Sequence, residues 1–371
     1  MPFLDLIQDG PALVLQIAQA TAGGLGDLLS DGIAEDDPSF VRGWDRVLEL
    51  RVVLQICADL ALALLLSSAI AFHPRRHGSA LSTEEVEYPK TVLLYAVVGT
   101  MVSVLKHRGP DTSGIWTNPS GRIALGHTRL AIVDLSDAGS QPMTSADGRW
   151  TITYNGELYN PEDLRQSVGS VRWRGHSDTE ALVEHIARHG VPATLRAAKG
   201  MFAFGCWDAH ELELWLARDR FGEKPLYYGL HGGLLLFASE LKALRAIPGF
   251  NPEIDRHALS EYFRWTNVPS PMTIYEGVNK LPPAHFVCIR EPTEISQPQP
   301  YWSAFDAANK ARGVVDSANA IDLLKEVLDG AVAAQMVSDV PLGAFLSGGI
   351  DSSSVVASMQ RQSSTPVRTF T

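Results

Sequence analysis

The pattern of hydrophobic and polar positions divides the chain into three parts. Residues 52–72 are almost continuously apolar, broken by Gln55, Cys57 and Asp59. That run has roughly the 20 residues a membrane helix needs. Asp59 near its middle would cost about 3 kcal/mol in lipid, so the run predicts either a membrane helix or a helix buried in protein. A basic patch, His73-Pro74-Arg75-Arg76-His77, follows it. A second apolar run, 91–105, is shorter than a comfortable span and is expected to serve a soluble domain.

From His107 the apolar residues arrive in short runs. Residues 121–130, 150–158, 201–207, 212–217, 225–230 and 234–238 read as strands, rich in β-branched, aromatic and Leu residues with Gly, Asn or Asp at their ends. Residues 178–188 read as a helix that gathers Ala181, Leu182, Ile186 and Ala187 on one face. Residues 240–245 and 256–265 are shorter helices. Many strands with inserted helices predict a layered α+β sandwich. The Pro-rich stretch 291–300 reads as a connector. Beyond it come an amphipathic helix (321–336), a strand (341–346), a helix (352–361) and the start of a further strand (367–370), the opening of an α/β domain. The expected organisation is therefore 1–100, 101–290 and 291–371.

Charge and cysteine content narrow the partners. The chain has 371 residues with 31 Lys and Arg against 42 Asp and Glu, a formal net charge of -11. An acidic surface repels phosphate backbones and argues against nucleic acid as a partner. Cys57, Cys206 and Cys288 are far apart and form no metal-type pair. That sparse, odd count suits a reducing compartment. No basic residue precedes the apolar positions of residues 1–30, so no secretory signal is read. The expected location is cytoplasmic, with membrane association through 52–72 as its variant.

The clearest chemical motif lies near the C-terminal end. Ser347-Gly348-Gly349-Ile350-Asp351-Ser352 follows an apolar strand and opens a helix. Glycines let the backbone approach a phosphate, and a helix N-terminus offers free N–H groups and a positive dipole end. It is not a P-loop, which needs GxxxxGK[ST].

Residues 341–353, Pro-Leu-Gly-Ala-Phe-Leu-Ser-Gly-Gly-Ile-Asp-Ser-Ser, closely resemble the pyrophosphatase loop of glutamine-hydrolysing asparagine synthetases. Upstream segments resemble the class II glutamine amidotransferase domain of the same family. They are His107-Arg108-Gly109-Pro110-Asp111, residues 126–134 (Gly-His-Thr-Arg-Leu-Ala-Ile-Val-Asp), Tyr154-Asn155-Gly156-Glu157, His176-Ser177-Asp178-Thr179-Glu180, Gly200-Met201-Phe202-Ala203-Phe204 and residues 217–226. The resemblance runs from about residue 101 to 371.

It implies an N-terminal-nucleophile-hydrolase-type sandwich followed by a truncated Rossmann-like domain of the adenine nucleotide α-hydrolase type. It also implies ATP-dependent amide transfer from glutamine to aspartate, giving asparagine, AMP and pyrophosphate. In that reading Arg129 takes glutamine's α-carboxylate, while Glu157 and Asp178 take its α-ammonium. The Asn155 side chain and the Gly156 N–H form the oxyanion hole. Leu130, Ala131, Ile132 and Val133 line the glutamine pocket. Leu346, Ser347, Gly348, Gly349, Ile350, Asp351 and Ser352 line the ATP site, with Mg as its family companion. Aspartate, the acceptor, would bind beyond residue 371.

Two departures from the family shape the expectation. Its nucleophile is a cysteine at residue one, whose own α-amino group serves as base. Here Pro2 follows Met1, and no cysteine precedes the glutaminase motifs in the expected strand. The chain as written is expected to lack glutaminase activity. Residues 91–99, with Val, Leu and Tyr, are expected to fill the vacated edge of the sheet as a substitute strand. The chain also ends early in the second domain, so ATP binding is expected to be weak and the chain inactive alone. The rival readings are a β-lactam-synthetase-like relative with a vestigial first domain, and a non-catalytic, membrane-tethered glutamine-binding module.

Overall fold

A computed structural model describes residues 83–292, 295–311 and 319–371. The run 52–72 and Cys57 lie outside the described residues. The described residues divide into two compact units: 83–103 with 115–124 and 246–249, and 104–114 with 125–245 and the described residues from 250 onward.

In the first unit the main element is α1 (Thr83–Ser103). Residues 91–99 are therefore helix, not the substitute strand their Val and Tyr content suggested. A continuous apolar run has no period, so it does not separate buried strand from buried helix, and Leu93, Leu94 and Ala96 are good helix formers. Met101, Val102, Ile123 and Ile247 of this unit are buried. No helix among the described residues is long and apolar enough to cross a membrane.

The remaining elements follow in order: β1 (Thr112–Thr117), β2 (Ala124–Arg129), β3 (Met143–Thr144), β4 (Trp150–Leu158), α2 (Pro161–Val168), α3 (Asp178–His189), α4 (Val191–Ala197), β5 (Gly200–Asp208), β6 (Glu213–Arg218), β7 (Tyr227–His231), β8 (Leu234–Ala238), α5 (Leu241–Arg245), α6 (Arg256–Trp265), β9 (Val278–Lys280), β10 (His285–Ile289), β11 (Gln299–Pro300), α7 (Ala304–Ala311), α8 (Ala320–Ala334), β12 (Gly343–Phe345), α9 (Ile350–Gln362) and β13 (Arg368–Phe370). The strand expected from residue 121 begins at 124, because Asn118 to Gly121 close a turn in which Gly121 N donates to Asn118 O at 3.0 Å.

The largest sheet runs β11-β10-β6-β5-β4-β3, and a three-stranded sheet runs β8-β7-β9. β1 and β2 make a two-stranded sheet. The β4–β5 ladder is antiparallel, with Ile152 opposite Cys206 and Asn155 opposite Ala203. Side chains alternate across a strand, and the alternation builds two layers here. Ile152, Tyr154, Phe202, Phe204 and Cys206 face the helical side and form one cluster with Ala181, Leu182 and Ile186 of α3. On the other face Thr153 Oγ1 donates to Gly126 O at 3.0 Å, and the ring of Phe237 packs over Gly205.

Local chemistry explains why α3 starts where it does. Ser177 Oγ accepts from Glu180 N at 3.2 Å, and Asp178 and Glu180 occupy the first turn. An N-cap hydroxyl and acidic first-turn residues both stabilise a helix N-terminus. Gly190 closes the helix at φ +78°.

After the first domain, β12 pairs in parallel with β13, with Ala344 opposite Thr369. A parallel pair needs a crossover connection, and α9 supplies it. This is the α/β opening that the pattern of residues 341–370 predicts. The chain thus joins a layered α+β sandwich to the start of an α/β domain.

Candidate functional site

β4 carries the site because it leaves the core partway along. Trp150 to Tyr154 are buried, whereas Asn155, Gly156 and Glu157 are only partly so. Asn155 Nδ2 is buried and has no hydrogen-bond partner among the described residues. A buried amide N–H left unpaired costs about 1–3 kcal/mol, so this donor points to a missing acceptor. Gly156 follows, pressed against β5. A Cβ there would lie 2.7 Å from Phe202 Cα and closer still to the Met201 carbonyl. Only glycine lets the ladder close at this point.

Asp178, at the N-terminus of α3, reaches the same strand end. Its Oδ2 accepts from Tyr154 Oη at 2.9 Å and from Leu158 N at 3.0 Å. Its Oδ1 accepts from Thr179 N at 2.8 Å. Burial raises the Asp178 pKa above the ordinary carboxylate value, with these hydrogen bonds opposing it. Glu157 is raised too, by burial and then by the Asp178 charge, against a lowering influence from Lys224. Two partly buried carboxylates with raised pKa, one of them raised in part by the other's charge, make a place where a cation is stabilised.

Tyr154 is a site residue that the sequence reading missed as such. Its place between Thr153 and Asn155 in a strand gives no sign that its hydroxyl holds Asp178. Tyr154→Phe is expected to cost about 1.5–3 kcal/mol, the range for a hydrogen bond to a charged group. Urea denaturation of the full chain measures it, and a loss under about 0.5 kcal/mol would show that water replaces the phenol.

Arg129 ends β2 and is buried. Nη1 donates to Ser136 O at 2.9 Å. Nη2 donates to Val133 O at 3.4 Å and to Asp134 O. An arginine has five N–H donors, so two remain. The guanidinium thus folds the 130–136 loop around itself. Ala131, Ile132 and Val133 lie half-buried along this loop, and Leu130 is exposed. Asp111 Oδ2 accepts from Ala131 N at 2.8 Å.

Neither described cysteine belongs to this site. Cys206 is three positions from the Asn155 partner on β5, roughly 10 Å along the strand, and faces the helical core. Burial, with the nearby Asp208 charge, pushes its thiol well above the ordinary value. Cys288 on β10 donates to Glu213 Oε2 at 3.3 Å, and burial with that carboxylate pushes its pKa up to about 12. Neither is poised as a thiolate.

The loop between β12 and α9 is separate from this cluster. Ser347 Oγ and Ser352 Oγ are 3.0 Å apart, and Gly348 takes φ +79°. Gly349 caps α9 without a side-chain hydrogen bond, so the first-turn N–H groups stay open to an anion. Leu346 and Ser352 are half-buried, and Ser347, Gly348, Gly349, Ile350 and Asp351 are exposed. Asp351 is the loop's carboxylate. Among the described residues no three His, Cys, Asp or Glu side chains converge as a metal site.

A glutamine amidotransferase domain model matches residues 85–302, and an asparagine synthase model matches residues 323–371. Asparagine synthetase [glutamine-hydrolyzing] 3 of Bacillus subtilis (strain 168) is 37% identical over 283 residues, covering 73% of this chain and 44% of that protein. Amidase chry2 of Gibberella zeae is 37% identical over 257 residues, covering 69% of this chain and 37% of its own. The chain thus spans about two fifths of the length of these relatives. A solved glutamine phosphoribosylpyrophosphate amidotransferase from B. subtilis, complexed with ADP and GMP, is 21% identical with a TM-score of 0.41, covering 56% of this chain and 46% of its own. The first match takes in more than half of the chain, and with the motifs around Arg129, Asn155 and Asp178 it makes this protein a member of the glutamine amidotransferase domain family, continued from residue 323 by the start of an asparagine synthase domain.

Proposed function

We propose that the first domain recognises glutamine as the nitrogen donor of an asparagine-synthase-type amide transfer. The observation that carries this is the buried, unpaired Nδ2 of Asn155 beside Gly156. In this reading the two donors meet the amide oxygen of glutamine and the charge that develops on it. Glu157 and Asp178 take the α-ammonium. The two remaining N–H groups of Arg129, with Ala131 to Val133, take the α-carboxylate side. Asp178 is preorganised for this by Tyr154, Leu158 N and Thr179 N.

The loop Leu346–Ser352 is proposed to receive ATP phosphates at the open N-terminus of α9. Mg would enter with those phosphates, next to Asp351. Aspartate is the acceptor that the names of the relatives suggest. Ammonia release is not expected of Cys206 or Cys288, given their burial and raised pKa.

Titration of the full chain with L-glutamine, followed by calorimetry and thermal melting, tests the proposal. Saturable binding is expected, with Glu157→Ala raising the Kd at least about tenfold through loss of a charge-assisted contact. No saturable heat and no melting shift with glutamine would overturn it.

A further inference from the structure

The loop under the proposed glutamine pocket is held by a segment 205 positions downstream of Asp134. Ile132 O accepts from Asp339 N at 3.0 Å. Asp339 Oδ2 accepts in turn from Asp134 N at 2.7 Å. The two segments are therefore bridged at two points, much as two strands would be. The same Oδ2 lies 2.7 Å from His176 Nε2, and His176 N donates to Asp134 Oδ2 at 2.8 Å. Hydrogen bonds from Ser136 and from His176 N outweigh burial and hold the Asp134 carboxylate below its ordinary pKa.

Three features separate this bridge from an ordinary surface ion pair, whose worth is about 0–1 kcal/mol. Two of its bonds are backbone donors, so they act on loop geometry and not only on charge. Asp134 takes φ +57°, a left-handed conformation that an aspartate adopts with local hydrogen bonds; its Oδ1 accepts from Ser136 N at 3.2 Å, while its own N–H is directed outward to Asp339. The Val133 and Asp134 carbonyls on this turn are also those that Arg129 holds. A shift of the turn therefore moves Arg129.

Asp339 belongs to the segment matched by the asparagine synthase model and precedes the Ser347 loop by eight positions. Ser338 Oγ bonds Val340 O at 3.0 Å and Val340 N at 3.2 Å, which fixes the turn that presents Asp339. We infer that Asp339 is a positioning residue for the glutamine pocket: it holds the Ile132–Asp134 turn, and through it Arg129, in the glutamine-binding geometry. The pocket is then complete only when the segment matched by the asparagine synthase model is present. This rests on the glutamine reading above.

The test uses the full chain with Asp339→Ala and Asp339→Asn. Asparagine keeps an oxygen that accepts from Asp134 N, whereas alanine does not. In Asp339→Ala the Asp134 amide is expected to exchange with solvent at least about tenfold faster, with the β4–β5 amides unchanged. Its Kd for L-glutamine is expected to rise about five- to tenfold, as for one lost hydrogen bond. Asp339→Asn is expected to return both to within about twofold of the parent chain. Unchanged exchange at Asp134, or faster exchange with an unchanged Kd, would overturn the inference. A parent chain that binds no glutamine would defeat the functional reading instead, and the exchange comparison would then decide by itself whether Asp339 holds the turn.

Discussion

Phe204→Ala is expected to lower the unfolding free energy by about 3–5 kcal/mol, the range for removing a buried aromatic side chain. Phe204 is 1% exposed and lies in β5, an interior strand of the six-stranded sheet. It stands opposite Tyr154 on β4 and Ala217 on β6. Its ring stacks on Phe202 with centroids 6.0 Å apart. Ladders on both sides hold the backbone, so the cavity left by alanine has little room to collapse. The loss also reaches the site. Tyr154 loses its cross-strand neighbour and with it part of the packing that aims its hydroxyl at Asp178. Weaker glutamine binding is expected beside the lower stability. Phe263, 77% exposed on α6, is the internal control, and Phe263→Ala is expected to change stability by no more than about 0.5 kcal/mol. Urea denaturation of both variants decides. Equal losses would mean that the helical face of β5 is not the core.

Acid is expected to destabilise the protein through His127. Burial, and then the Arg129 guanidinium, pushes its pKa down to about 4. Its Nδ1 lies 3.4 Å from Thr153 Oγ1, whose hydroxyl donates to Gly126 O. A neutral ring with its proton on Nδ1 satisfies that arrangement. In the unfolded chain a histidine titrates near 6.5. Between pH 6.5 and about 4 the unfolded chain binds a proton that the folded chain refuses. Stability therefore falls as pH drops through that window and is indifferent to this group above it. At roughly 1.4 kcal/mol per pH unit, the full loss is about 3 kcal/mol. His185, also pushed down to about 4 by burial and by His189, adds to the slope. Denaturation at pH 7, 6, 5 and 4.5 checks this. His127→Gln should flatten the curve relative to the parent chain and leave the contribution of His185. A parallel pair of curves would mean that His127 takes up its proton as readily in the folded protein as in the unfolded chain.

Much of the first domain was legible from alternation and end signals. Strands 150–158 and 234–238 were placed to the residue, because each is a short β-rich run with turn residues at its ends. The helix from Asp178 announced itself through the Ser177 cap, the acidic first turn and the face of Ala181, Leu182 and Ile186. The Ser347–Ser352 loop was readable because strand, glycines and helix follow one another directly. The helix at 83–103 is not legible, because an apolar run without a period suits a strand at 91–99 as well as a helix. β1 was missed because Thr112-Ser113-Gly114 carries neither alternation nor a β-rich composition.

The candidate site divides in the same way. The amino-acid order alone determined which residue types were available: the Asn155-Gly156-Glu157 strand end, the acid at 178, the arginine at 129 and the open helix start at 350. Only the tertiary structure decided what they touch. Asp178 is aimed by Tyr154, 24 positions away, and the turn beside Arg129 is held by Asp339, 205 positions from Asp134. Periodicity and capping record forces between neighbours a few residues apart. Which distant donor meets a buried carboxylate is set by how layers and domains pack, and no local pattern carries that choice.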